Sequence, residues 1–92
     1  MIFTLPDPQA KIADVLVMLD ETQTAVEKTG NSREFKITIE EIALWAGISP
    51  DIAREAMYYF ISQKRLEIQP GRIVVRNIND LARYASSRRN QY

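Results

Sequence analysis

The 92-residue sequence contains no cysteine and no histidine. The first absence excludes a disulfide framework, thiolate-ligated zinc and iron–sulfur clusters. The second removes the commonest remaining metal ligand and the side chain best suited to acid–base work near neutral pH. No apolar run approaches the ~18 residues that a membrane span requires. The N-terminal stretch MIFTLPDPQAK has only a short apolar start, broken by Pro6 and Pro8, and reads as neither signal peptide nor anchor. A reducing, cytoplasmic setting is the expectation.

Glycine (3) and proline (4) are scarce, while 46% of the residues are hydrophobic and 26% charged, the profile of a folded and largely helical chain. Ninety-two residues supply one core rather than two. The chain therefore reads as a single domain over residues 1–92, packed over about 7–85, with 86–92 expected to fray because nothing there can join a core.

Net charge is also lacking, since 12 basic residues balance 12 acidic ones. The balance hides a segregation. Residues 1–60 carry five cations against ten carboxylates, and residues 61–92 carry seven cations against Glu67 and Asp80. The C-terminal third is the part suited to face phosphates.

Asp7 followed by Pro8 is a helix start: the carboxylate caps free N–H groups and proline occupies the first helical position, where its missing N–H costs nothing. Ile12, Val15, Leu16, Leu19 and Val26 recur at helical spacing and Gly30–Asn31 supplies a stop, which predicts a first helix over about Pro8–Thr29. A polar connector, NSREFK, follows. Thr38 and Glu41 form a capping box for a short second helix with Ile42, Ala43 and Ala46 on its apolar face, ended by Gly47. Trp45 is expected in the core or at its rim.

Ser49, Pro50 and Asp51 start another helix only about three residues later. Two helices joined so tightly cross at a large angle, which is a helix-turn-helix. The third helix, 49–64, buries Ala53, Ala56, Met57 and Phe60. After Lys64 the apolar period changes from 3.6 to 2: RLEIQ and RIVVR flank Pro70–Gly71, predicting a β-hairpin wing over 65–76. Asn79–Asp80 then opens a short last helix with Leu81, Tyr84 and Ala85. The expected fold is mainly α with a small β-hairpin (α+β): a winged helix-turn-helix with a three-helix core, a wing and a short C-terminal helix.

Clustered carboxylates such as Glu40–Glu41 do not make this an enzyme. Without histidine, cysteine or a convergent phosphate loop there is no activated nucleophile and no metal cage. No catalytic residue, metal or cofactor is expected.

The order and spacing of these elements resemble the C-terminal DNA-binding domain of Crp/Fnr-type bacterial transcription regulators. KIADVLVMLDE resembles that family's leading helix, ITIEEIALWAGISPDIAREAMYYF its helix-turn-helix, and GRIVVRNINDLARYA its wing strand and closing helix. The resemblance covers about residues 7–85. It implies double-stranded DNA as partner, with helix 49–64 in the major groove and the wing and helix N-termini on phosphates. Nothing in the chain resembles the family's effector-binding barrel or its dimerisation helix.

Under that reading the base-facing candidates are Asp51, Arg54, Glu55 and Tyr58. The phosphate candidates are Lys36, Thr38, Ser49, Lys64, Arg72 and Arg76. Each has a plainer alternative: Thr38 and Ser49 as ordinary caps, the wing cations as guards against edge-to-edge pairing, Arg54 as an ion-pair partner of Asp51. The family's usual arginines at the start of the reading helix are replaced here by Pro50 and Glu55, so its guanine contacts do not carry over. The alternative function is a winged helix that serves as a protein-interaction module, docking a partner through Tyr58, Tyr59 and Ile61.

Overall fold

The computed structural model describes residues 7–22 and 27–89. Eight elements follow in chain order: α1 (Pro8–Glu21), β1 (Glu27–Thr29), β2 (Ser32–Phe35), α2 (Ile39–Ala46), α3 (Pro50–Ser62), β3 (Leu66–Gln69), β4 (Arg72–Val75) and α4 (Ile78–Arg89).

Local capping chemistry sets the helical boundaries. Asp7 accepts from the Ala10 N–H at 2.8 Å and Pro8 is the first residue of α1. At α2 both halves of the capping box are made: the Glu41 N–H donates to the Thr38 hydroxyl oxygen at 3.2 Å, and the Thr38 N–H donates to the Glu41 carboxylate at 3.0 Å. Gly47 ends α2 with φ 73°, and the Ile48 N–H returns to the Ala43 carbonyl. Ser49 then caps α3 by accepting from the Ile52 N–H. The helix-turn-helix is thus written in consecutive local hydrogen bonds, with Ala53, Ala56, Met57 and Phe60 turned into the core.

The sheet is larger than the expected wing. All four strands pair antiparallel in the order β1-β2-β4-β3. β3 and β4 are the wing, turned by Pro70 and Gly71 with glycine at φ 70°, the pairing a type II turn requires. β1 and β2 form a second hairpin, which corrects the sequence expectation of a first helix running to Thr29 followed by a plain connector.

Helix α1 stops at Glu21, and Gly30–Asn31 is a hairpin turn rather than a helix stop, with Thr29 opposite Ser32. Thr22 and Thr29 are β-branched and poor helix formers, and pairing of β2 with β4 gives this segment a sheet to join. Val26, counted in the helical pattern, lies outside the described residues, as do 1–6 and 90–92. Arg33 locks the arrangement: its guanidinium donates to Asp20 on α1 at 2.6 Å and to the Gly30 and Ser32 carbonyls at 2.6 and 2.9 Å.

The last helix also departs from expectation. Its cap is Asn77, whose side chain accepts from the Asn79 and Asp80 N–H groups. It continues to Arg89, so residues 86–89 of the anticipated frayed tail are helical.

Phe35, Ile42, Met57, Phe60, Ile73 and Leu81 are among the side chains that fill a single core drawn from α1–α4 and the sheet. Burying each contributes about 1.5–3 kcal/mol. α4 packs along α1, and its Tyr84 meets Phe60 of α3 edge-on. Trp45 is not in that core; it is 50% exposed, because Ile42 and Ala43 already fill the short α2 contact.

Candidate nucleic-acid interface

The outward side of α3 carries Asp51, Glu55 and Tyr58, all exposed, with Tyr58 at 56%. Arg54 differs from them. Its guanidinium meets Asp51 at 3.1 Å and Glu40, on α2, at 3.6 Å. The spacing of Asp51 to Arg54 signals the first pair; nothing in the sequence signals the second, because α2 and α3 meet only in the fold. The one cation on the forward part of α3 therefore lies between two carboxylates.

Between α3 and the wing runs an open groove of about 670 Å³, with Ile39, Tyr58, Ile61 and Ile68 among its walls and Lys64 and Arg76 at its margin. A second hollow of about 450 Å³ adjoins it, sharing Ile39 and Ile68 and reaching from Thr38 to Pro70, Gly71 and Arg72 at the wing tip. The start of α2, Tyr58 and Ile61 of α3 and the wing border these two adjoining hollows, whereas Ser49, Asp51, Arg54 and Glu55 line neither. Ile39 and Ile68, missed in the sequence as site residues, join the two hollows.

Three expected phosphate ligands have carboxylate neighbours. Arg72 pairs with Glu34 across the sheet, and Arg76 lies 3.4 Å from Glu67. Both arginines remain 45–60% exposed, and exposed pairs of this kind contribute only about 0–1 kcal/mol, so a phosphate can displace either carboxylate. The Thr38 hydroxyl is directed at Glu41, at 3.2 Å, which places a negative charge on the α2 N-terminus. Ser49 accepts from the Ile52 N–H, and the first turn of α3 carries a carboxylate of its own, Asp51. Lys36 and Lys64 are exposed, and among the described residues no carboxylate pairs with either.

Arg65, at the wing's entrance, is turned away. It pairs with Asp80 at 3.0 Å and lies over the Tyr84 ring at 5.9 Å, fastening the wing to α4. Tyr59 also belongs to that side, 6.4 Å from Tyr84 and edge-on to Phe60. Tyr58, Tyr59 and Ile61 thus do not form one patch: Tyr58 and Ile61 line the groove, and Tyr59 leans toward α4.

The arrangement of four helices and an antiparallel sheet has close structural counterparts. A transcriptional regulator of the CRP/FNR family from Thermus thermophilus, TTHA1359, superimposes with a TM-score of 0.77 over 87% of this chain, at 24% sequence identity. The fold is that of the C-terminal CRP/FNR winged helix. The Thermus thermophilus catabolite activator protein matches this winged helix over the same share with a TM-score of 0.72 and 21% identity. Reduced, ligand-free CprK matches over 88% with a TM-score of 0.67 and 14% identity.

The winged helix spans 41%, 34% and 39% of those three chains, less than half of each. No protein-family model and no curated protein matches the sequence. Among the described residues, no helix is long and apolar enough to cross a membrane, and no cluster of carboxylates is arranged to hold a metal ion.

Proposed function

We propose that the chain is the DNA-binding module of a transcription regulator, a binding domain rather than an enzyme, acting on double-stranded DNA in the cytoplasm. The observation that carries this reading is the pair of adjoining hollows bordered by the C-terminal half of α3, the α2 start and the wing, on a fold shared with CRP/FNR regulators. In this reading α3 enters the major groove with Asp51, Arg54, Glu55 and Tyr58 toward base edges. Ser49 and the α3 N-terminus, Lys36, Lys64, Arg72 and Arg76 take phosphates, and Thr38 supports the approach from α2.

Backbone contacts dominate such a complex. Arginine grips guanine through two parallel hydrogen bonds, and the only arginine on α3, Arg54, is engaged by Asp51 and Glu40. The expected behaviour is binding with weak preference among sequences.

A second reading, protein docking on the same face, draws support from Tyr58 and Ile61 on the groove wall. Backbone amide shifts recorded during titration with a mixed-sequence duplex separate the two. DNA binding predicts perturbation at Ser49, Lys64 and Arg76 with α1 unaffected; an absence of shifts on α3 and the wing contradicts it.

A further inference from the structure

Two large apolar side chains stand uncovered on α2. Leu44 is 76% exposed and Trp45 is 50% exposed, and neither borders the hollows beside the wing. Helical spacing places Leu44 one turn beyond Glu40 and Trp45 one turn beyond Glu41, while Ile42 and Ala43 turn into the core. The solvent face of α2 is therefore two carboxylates followed by two apolar groups. Leaving a leucine and an indole side by side in water is unfavourable, and an aromatic–aliphatic pair bordered by charge is how protein-binding surfaces are composed.

The carboxylates determine what the surface accepts. Glu41 uses one oxygen in the capping box and remains exposed. Glu40 meets Arg54 only at 3.6 Å and stays 62% exposed. Acids outnumber bases ten to five over residues 1–60. A nucleic acid is repelled from such a face, and so is an acidic protein; a basic one is attracted.

We infer that the α2 face docks a basic amphipathic helix of another protein, with its apolar side on Leu44 and Trp45 and its Lys or Arg residues on Glu40 and Glu41. Leu44 and Trp45 lie apart from the DNA-facing groove, which Glu40 reaches only at the edge of its second hollow, and their use does not depend on the DNA reading.

Trp45 is the sole tryptophan, so the surface carries its own reporter. The 92-residue chain is titrated with a synthetic leucine–lysine amphipathic helix while Trp45 emission is followed. The expected result is a saturable blue shift that weakens with added salt, is absent with a leucine–glutamate helix of the same apolar pattern, and loses about tenfold in affinity in Leu44→Asp and in Glu40→Gln. Leu44→Asp retains its circular dichroism and its affinity for duplex DNA, because Leu44 touches neither core nor groove. Lack of any shift, or an equal response to the acidic helix, overturns the inference. So does a shift that follows protein concentration alone and coincides with dimer formation in sedimentation, since a second copy would then cover the face.

Discussion

Gly47 and Lys64 hold the same backbone position at the ends of consecutive helices. Each is the left-handed residue that closes its helix, with φ of 73° and 61°, and in each case the next N–H returns to the carbonyl five residues back: Ile48 to Ala43, Arg65 to Phe60. Glycine adopts this conformation freely, whereas lysine pays a steric cost between its Cβ and the following carbonyl. Lys64 is also an exposed cation at the margin of the groove.

Lys64→Gly is therefore expected to act with opposite signs on fold and function. It should stabilise the domain by about 0.5–1 kcal/mol, read in urea melts, while weakening binding to duplex DNA. A gain in stability without any loss of affinity would remove Lys64 from the phosphate contacts.

The reverse substitution of type, Gly47→Ala, should destabilise by about 1 kcal/mol. A Cβ at Gly47 meets no atom within 4 Å, so the cost is backbone strain alone, and the variant should still bind DNA once folded. Thermal melts beside anisotropy titrations check both halves.

Arg33→Ala should lower stability by about 2 kcal/mol, because it removes an ion pair and leaves Asp20 without its charge partner in a half-buried site. Arg33 and Asp20 side chains are only 15% and 21% exposed. A double-mutant cycle with Asp20→Asn isolates the pair; coupling near zero would mean that the carbonyl contacts of Arg33 carry the effect instead.

Glu55→Arg should strengthen duplex binding and steepen its salt dependence by about one unit of slope, since it replaces a repelling carboxylate by a cation on the outward face of α3. Asp51→Asn should strengthen binding more modestly by loosening the hold on Arg54. Unaltered affinity in both would place α3 outside the DNA interface.

Arg72→Ala should weaken binding about equally for all duplex sequences and flatten the salt slope, whereas Glu34→Gln, which releases Arg72 from its pair, should do the opposite. Equal affinities for the two variants would exclude the wing tip from the backbone contacts.

The helix-turn-helix was legible in the sequence because its signals are local: Thr38 with Glu41, Gly47, then Ser49 with Pro50 all act within one turn of the residue they cap. The first hairpin was not. Gly30–Asn31 serves equally as a helix stop or a strand turn, and what decides is β2 pairing with β4, some forty residues away. A similar distance hides Glu34 from Arg72, and the turn between two helices hides Glu40 from Arg54, so the sequence shows which residues carry charge but not which charges are already matched. Trp45 was misjudged because its type favours burial, while an eight-residue helix presents only one face to the core and Ile42 and Ala43 occupy it. The candidate phosphate ligands were legible as types; their freedom to act was not, and of the four cations among them only Lys36 and Lys64 have no carboxylate partner among the described residues.

The central claim, that this winged helix holds DNA mainly through the phosphate backbone, is tested most directly by measuring affinity for a mixed-sequence duplex across a range of salt concentrations. With Lys36, Lys64, Arg72 and Arg76 engaged, the logarithm of the association constant should fall linearly with the logarithm of salt, with a slope of about −3 to −4. Absence of binding at ~50 mM salt, or an affinity indifferent to salt, would contradict it.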